Sequence, residues 1–217
     1  KSLTYNAKSQ TTTIVVNGKT LTLNKDFKVV SGSLKATKAG TYTVKIKGIG
    51  NYSGDTTVKY TVNAQQSYKA TAAAKTYNAK NQTTKVTVKY GNTVLKRGTD
   101  YKITGVTRAK NAGKYKITVK GINNYKGTKT IYYTINKAAQ KSVKVKVNAS
   151  KKKITVSGVK AKAKVTYKSA NKKVKVKNGK ITVGKGVKKG TKVRITVKVA
   201  ATKNYKAYSK SIIYKVK

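Results

Sequence analysis

Apolar and polar residues alternate along several stretches of the chain. In residues 42–46 and 115–119 a Tyr, Val or Ile stands at every second position, with Lys or Thr between. Residues 143–147 and 193–199 repeat the pattern with Val or Ile against Lys, Arg or Thr. A period of two places the apolar side chains on one face of a strand and the cations on the other. The pattern predicts half-buried antiparallel strands with one solvated face.

Turn signals separate these stretches. Asn17-Gly18 and Asn178-Gly179 lie between alternating runs and predict two-residue hairpins, and Gly91-Asn92 marks the corresponding place further along the chain. No segment has a sustained 3.6-residue apolar period, although residues 70–74 could form a short turn of helix. The predicted fold class is all-β.

The chain also repeats itself. Residues 4–8 recur identically at 76–80, and residues 39–54 match residues 112–127 at an offset of 73. A third unit begins differently but ends similarly, with Asn204-Tyr205 where the second has Asn124-Tyr125. We therefore predict three small Ig-like β-sandwich domains in tandem, at residues 1–63, 64–136 and 137–217. Their short junctions lack Gly and Pro, which predicts limited hinge freedom.

The amino-acid composition excludes most kinds of catalytic and metal-binding site. The 217 residues include no His, Cys, Met, Trp or Pro, and the only acids are Asp26, Asp55 and Asp100. Paired carboxylates, His general bases, thiol nucleophiles and most metal sites lack their residue types. We therefore expect that the protein is not an enzyme and that it has no catalytic residue, no cofactor site and no metal site. No apolar run approaches the ~20 residues that span a bilayer, and Lys1 without an initiator Met or signal segment suggests a mature or trimmed fragment.

The first two units resemble the bacterial Ig-like repeats of Gram-positive cell-surface proteins. The resemblance lies in the Tyr-Asn-Ala-Lys motif, in Asp26-Phe27 and Asp100-Tyr101, in the Ala-Gly-x-Tyr strand and in the turn with Asn-Tyr-x-Gly. The third unit resembles group 2 bacterial Ig-like domains through residues 167–174, 178–181 and 189–191. The resemblance implies secreted stalk, adhesin, cell-wall or surface-layer modules, which are commonly neutral or acidic.

This chain instead carries a net charge of +49, graded along its length. The three units hold +8, +14 and +27, and the third contains no acid. Lys far outnumbers Arg, which favours diffuse binding of polyanions over a shaped pocket. The expected partners are cell-wall teichoic acids or acidic host glycans. The predicted polyanion-binding residues are the basic clusters of the third unit: Lys144, Lys146, Lys151, Lys152, Lys153, Lys172, Lys173, Lys175, Lys177, Lys185, Lys188, Lys189, Arg194 and Lys198.

Several alternatives remain open at this point. A chain this basic binds DNA non-specifically at low salt, so a matrix protein that binds extracellular nucleic acid or mucin is one alternative. A self-assembling coat or fibre subunit is another. Tyr52, Tyr125 and Tyr205 each follow Asn and either close the end of a sandwich or stack on carbohydrate. Asp26 and Asp100 are expected to cap turns, the alternative being catalysis of an isopeptide crosslink.

Overall fold

The computed structural model describes all residues, Lys1–Lys217, and its regular secondary structure is β-strand apart from one 3-10 turn at Lys160–Lys162. The predicted all-β class of Ig-like sandwiches is confirmed. No helix in the structure has the length and apolarity needed to cross a membrane.

The first repeat packs a four-stranded sheet against short strand pairs. The sheet has the order β1-β8-β7-β5, with β1 parallel to β8, and faces the hairpin β3-β4 and the pair β2-β6. The core between these layers contains Phe27, Val44, Ile46, Tyr60 and Val62. The strands are β1 Ser2–Thr4, β2 Gln10–Thr11, β3 Ile14–Val16, β4 Lys19–Leu21, β5 Phe27–Ser31, β6 Lys35–Ala36, β7 Gly40–Gly48 and β8 Asp55–Asn63.

The second repeat reproduces these pairings. β10 runs parallel to β17, β14 is antiparallel to β16, and β11 pairs with β15, as their counterparts do in the first repeat. One strand, β9, is new and lies antiparallel to β12. The strands are β9 Lys69–Ala72, β10 Lys75–Thr76, β11 Gln82–Thr83, β12 Val86–Tyr90, β13 Thr93–Val94, β14 Tyr101–Gly105, β15 Arg108–Ala109, β16 Gly113–Gly121 and β17 Thr128–Asn136.

The third region is a two-sheet sandwich. One sheet has the order β18-β19-β22-β21 and the other β20-β23-β24. Ile154 and Ile181 of the first sheet and Ile195 and Tyr214 of the second are buried in one core. The strands are β18 Lys144–Asn148, β19 Lys153–Ser157, β20 Val165–Ser169, β21 Val174–Lys177, β22 Lys180–Val183, β23 Lys192–Val199 and β24 Tyr208–Lys215.

All three predicted hairpin turns are confirmed. Asn17 and Asn178 have φ of 49° and the glycines that follow them have φ of 79°, the two positive values that a type I′ turn requires. Gly91 has φ of 54° between β12 and β13. In contrast, residues 70–74 form no turn of helix. Thr71 pairs with Thr87 in the β9–β12 ladder, because strand pairing overrides the helical propensity of alanine.

The chain divides into two compact units. One comprises Lys1–Ala73, Lys85–Thr107 and Tyr115–Tyr132, and the other comprises Ala74–Thr84, Arg108–Lys114 and Tyr133–Lys217. The first unit contains the whole first repeat, and the second contains the whole two-sheet sandwich of the third region. The three domain boundaries expected from the sequence stay a prediction.

Candidate polyanion-binding surface

The outer face of the sheet β18-β19-β22-β21 is strongly basic. Lys144 and Lys146 are exposed, while Val145 between them is buried in the core. Lys175 and Lys177 are likewise exposed on β21 around the half-buried Val176. Strand alternation thus puts these four predicted residues on the solvated face, as the sequence pattern predicts.

Three lysines form a row across this sheet. Lys153 on β19 is paired with Lys180 on β22, and Lys180 is paired with Lys177 on β21. Directly opposed residues have Cβ atoms about 4.5–5.5 Å apart, and like charges placed this way destabilise a sheet. The row therefore destabilises the fold, and an anion bound along it would offset this repulsion.

Lys180 was not among the residues predicted from sequence. The signal for it was available, because the two-residue turn Asn178-Gly179 forces the residues on either side of it to pair. A predicted contact at Lys177 therefore implies one at Lys180.

A groove of about 550 Å³ lies between β20 and β21. Lys168, Lys172, Lys175 and Lys177 line it together with polar Ser169 and Asn171 and the apolar side chains of Tyr167, Val174 and Val176. It brings together three of the predicted lysines and adds Lys168, which the alternation of β20 could have indicated. Burial raises the pKa of the Tyr167 phenol, so this ring stays neutral beside the four cations.

The loop of this groove is held by its own hydrogen bonds. The Ser169 hydroxyl donates to the Asn171 carbonyl at 3.0 Å, and the Lys173 amide donates to the Asn171 side-chain oxygen at 2.9 Å. The backbone that carries Lys172 and Lys173 is therefore ordered before any ligand arrives, which lowers the entropic cost of binding.

The remaining loop lysines lie at the two ends of the β21–β22 hairpin. Lys151 and Lys152 belong to the turn between β18 and β19, which meets the Asn178-Gly179 turn because the Ile181 amide donates to the Lys152 carbonyl at 2.8 Å. At the other end, the Gly184 amide donates to the Lys173 carbonyl at 2.7 Å and brings Lys185 near Lys172 and Lys173. Lys188 and Lys189 follow in the same loop, before β23.

Arg194 and Lys198 do not join this surface. The sequence pattern predicts one contact surface for all four strand-borne cations, Lys144, Lys146, Arg194 and Lys198, and the structure divides them between two sheets. Arg194 and Lys198 are on β23 of the opposite sheet, whose inward residues pack on the first sheet from the other side of the core. The two sheets of a sandwich expose opposite outer faces, so the predicted surface consists of two.

The three acids have local partners far from these residues in sequence. The carboxylates of Asp26 and Asp100 each accept a backbone N–H at 2.8 Å, from Thr22 and from Lys96, which confirms the predicted turn caps. Asp55 lies 3.9 Å from the ammonium of Lys45 in an exposed pair. Residues 137–217 contain no carboxylate side chain to compete with an external anion. No group of three or more His, Cys, Asp or Glu side chains lies together.

The Asn-Tyr turn of the second repeat packs against residues of the first repeat. The Tyr125 ring lies edge-on to Tyr5 with centroids 5.6 Å apart, and the Asn124 side-chain oxygen accepts the Ala39 amide at 2.8 Å. The Gln65 amide donates to the Asn124 carbonyl at 2.8 Å. Burial, then the neighbouring Tyr5, raise the pKa of Tyr125 to about 12. Tyr125 is 4% exposed, which favours the predicted structural role over carbohydrate stacking.

The Asn204-Tyr205 turn makes the same kind of contact with the second repeat. The Tyr205 ring lies edge-on to Tyr77 with centroids 5.3 Å apart, and the Asn204 side-chain oxygen accepts the Ala112 amide at 2.8 Å. Each Asn-Tyr turn therefore packs on the Tyr-Asn-Ala-Lys motif and the Ala-Gly corner of the repeat before it. Repetition of these short motifs in the sequence is explained by this contact.

Comparison with known proteins gives no family. No protein-family model matches the chain, and no curated protein does. Among solved structures, Drosophila N-cadherin EC1-4 is 10% identical with a TM-score of 0.28, over 100% of this chain and 72% of that one. Drosophila N-cadherin EC1-3 is 11% identical with a TM-score of 0.27, over 100% and 97%. Protocadherin gamma B7 EC1-4 is 9% identical with a TM-score of 0.24, over 99% and 74%. Likeness at this level carries no argument about function.

Proposed function

We propose that the chain is a secreted, non-enzymatic surface protein of a Gram-positive bacterium, related to the bacterial Ig-like repeats that its motifs resemble. Residues 137–217 attach it by charge to anionic cell-wall polymers such as teichoic acids. The less basic repeats are then presented outward for adhesion or coat formation.

One observation carries this proposal. Residues 137–217 hold 27 Lys and Arg without a single acid; the lysine row lies on one sheet, and the β20–β21 groove adds lysines from the edges of both sheets. Scattered lysines would keep the protein soluble equally well. Lysines placed directly opposite one another lower the stability of the fold, so solubility alone does not account for the row. Exchange of small counterions for a polymeric anion would relieve that cost.

The chemistry of the surface favours a flexible polyanion over a small ligand. Lysine ammonium groups act as point charges on mobile stems, whereas a shaped phosphate pocket usually employs the planar fork of arginine. The open groove of about 550 Å³ has only one aromatic residue, Tyr167, in its lining. It therefore offers no series of stacking rings for nucleic acid bases.

The test is co-sedimentation of the full chain with purified Gram-positive cell walls, before and after removal of teichoic acid, across a salt series. A triple variant K153Q/K177Q/K180Q removes the row. The matched control K28Q/K47Q/K59Q removes three exposed strand lysines from the first repeat. Each lost ion contact lowers the magnitude of the slope of log K against log salt by roughly 0.7–0.9, so the row variant should lose about 2–3 and the control little.

Two results would contradict the proposal. Binding that persists after teichoic acid is removed would point to a different ligand. Equal losses in the row variant and in the control would show that only total charge matters and that the third region is not the anchor.

A further inference from the structure

Ala138, at the start of the third region, corresponds to Gln65 at the start of the second repeat. The Gln65 amide donates to the Asn124 carbonyl at 2.8 Å, and the Ala138 amide donates to the Asn204 carbonyl at 2.9 Å. Each of the two residues is also bridged to the tyrosine that follows the asparagine. A glutamine side chain is thus replaced by a methyl group in a framework that otherwise corresponds.

The carboxamide of Gln65 has hydrogen-bond partners at both of its polar atoms. Its nitrogen donates to the Tyr5 carbonyl at 3.2 Å and to the Tyr90 hydroxyl at 3.1 Å. Its oxygen accepts the backbone amides of Gln66 and Ser67 at 2.8 and 2.9 Å. This side chain therefore satisfies one backbone carbonyl and two backbone N–H groups.

The corresponding backbone groups around Ala138 lack this partner. Tyr77 is the counterpart of Tyr5 in the identical Tyr-Asn-Ala-Lys motif, and Ala139 and Gln140 directly follow Ala138. Because an alanine side chain has no amide, it makes none of these bonds. The Tyr77 carbonyl and the two N–H groups are left to a ligand, and convergent polar groups of this kind orient molecules in binding pockets.

A pocket of about 380 Å³ lies at this place. The Gln140 side-chain oxygen accepts the Lys160 amide at 3.0 Å. The Ser142 hydroxyl donates to the Gly158 carbonyl at 2.7 Å. These bonds hold the wall of the pocket before a ligand arrives, which lowers the entropic cost of binding. The lining includes Tyr77, Ala138, Ala139, Lys141, Lys160 and Tyr205.

The Tyr205 ring in this pocket is more open than the corresponding ring of Tyr125. Tyr125 is 4% exposed and lies edge-on to three other tyrosine rings. Tyr205 is half-buried and lies edge-on to one, that of Tyr77. A partly exposed aromatic ring beside amide-binding groups suits a sugar, because the C–H face of a sugar packs on the ring while its substituents bond to the polar groups.

We propose that this pocket binds an N-acetylated amino sugar. The acetamido N–H donates to the Tyr77 carbonyl, and the acetamido oxygen accepts the amides of Ala139 and Gln140. The sugar ring packs on Tyr205. The acetamido group thereby makes the backbone contacts that the Gln65 side chain makes in the second repeat. This inference does not depend on the proposed polyanion function, because none of these contacts needs a charge on the sugar.

The test compares two neutral trisaccharides. Triacetylchitotriose carries acetamido groups, and cellotriose has the same ring linkage with hydroxyls in their place. Amide chemical shifts of the isotope-labelled full chain are followed by NMR as each sugar is added. We expect saturable shifts at Ala139 and Gln140 with triacetylchitotriose, and affinity at least about tenfold weaker for cellotriose, which loses these hydrogen bonds. The affinity should be the same at low and high salt, because the sugar is uncharged.

The variant Ala138→Gln provides the missing side chain from the chain itself. The second repeat accommodates glutamine at the corresponding position, so the variant should keep the melting temperature of the wild type. It should weaken triacetylchitotriose binding by about tenfold or more, because the new carboxamide occupies the site. Ala170→Gln is the matched control, since Ala170 is exposed before β21 and does not line the pocket. This control and the K153Q/K177Q/K180Q variant should bind the sugar as the wild type does.

Three outcomes would overturn the inference. Absence of saturable shifts, or equal affinity for the two trisaccharides, would show that the pocket does not recognise an acetamido group. Wild-type affinity in Ala138→Gln would show that the ligand does not occupy the place of the glutamine side chain. If the peptide Ala-Gln-Ala shifts the same two amides at lower concentration than triacetylchitotriose does, the site takes a carboxamide of a protein partner and the sugar is the wrong ligand.

Discussion

Tyrosine provides much of the bulk in these small cores, and individual hydroxyls have different surroundings. The Tyr60 hydroxyl donates to the Ser33 carbonyl at 3.0 Å. The Tyr68 hydroxyl accepts the Gly121 amide at 3.0 Å, and its one proton is shared between the carbonyl oxygens of Gly127 at 2.8 Å and Val119 at 3.2 Å. The Tyr214 hydroxyl is buried without a hydrogen-bond partner. An unsatisfied buried polar group costs about 1–3 kcal/mol, whereas a satisfied one contributes about 0.5–1.5 kcal/mol.

The same substitution should consequently have opposite effects at two tyrosines. Tyr68→Phe should lower the free energy of unfolding by about 0.5–1.5 kcal/mol, the net contribution of a satisfied hydrogen bond, because the Gly121 amide keeps its bond to the Gly127 carbonyl at 3.0 Å. Tyr214→Phe should be neutral or raise it by about 1 kcal/mol, because it removes an unpaired group and keeps the ring. Denaturant unfolding of the full chain measures both, and the two variants serve as each other's control. A loss at Tyr214 as large as that at Tyr68 would mean that the Tyr214 hydroxyl has a stabilising partner.

The residue pattern anticipated that tyrosines would point inward but not what their hydroxyls would contact. Alternation along a strand decides the face on which a ring lies, and this is a local property. The partners of the Tyr68 hydroxyl are 51, 53 and 59 residues away in the chain. Only the packed repeat brings them to the ring.

At the scale of elements, two hairpins share a turn type and differ in what surrounds it. Gly18 and Gly179 both have φ of 79°. A Cβ at Gly18 would meet no atom within 4 Å, whereas a Cβ at Gly179 would clash with the Ile154 carbonyl oxygen. The first turn lies free, and the second lies against the neighbouring strand β19.

The two glycines therefore separate backbone strain from steric clash. Gly18→Ala should cost about 1–2 kcal/mol, the penalty of a side chain in the left-handed region. Gly179→Ala should cost clearly more, because the strand backbone at Ile154 must also move. Thermal unfolding of the two variants gives the comparison. Equal costs would show that the β21–β22 turn moves away from β19 freely.

The element scale also shows where sequence patterns were insufficient. The hairpins at Asn17-Gly18 and Asn178-Gly179 were predictable because turn geometry is encoded in two residues. β9 was not, because its alanines have no strand preference and pair only when β12 is present. The candidate site was likewise only partly predictable. Alternation identified the exposed cations, but only the sheet order placed Lys153, Lys180 and Lys177 in a row.

For the whole molecule, the dominant quantity is the net charge of +49. Three carboxylates cannot offset 52 cations, so the folded state is stabilised by its apolar cores against its own repulsion. The Debye length shrinks from about 30 Å at 0.01 M salt to about 3 Å at 1 M, and screening should therefore stabilise the fold.

We accordingly expect the melting temperature of the full chain, measured by circular dichroism, to rise with the NaCl concentration over this range. The K153Q/K177Q/K180Q variant should show a higher melting temperature at low salt and a smaller rise, because its cationic row is gone. A melting temperature that is independent of salt, or that falls as salt is added, would mean that repulsion between these lysines does not limit stability.

Fold class, repeats, hairpin turns and charge gradient all follow from the amino-acid sequence alone, because each depends on neighbouring residues or on composition. The tertiary structure decided which strands lie side by side. It thereby divided the predicted cations between two opposite faces and aligned Lys180 with Lys153 and Lys177. These features depend on pairings between residues distant in the chain, which no local pattern encodes.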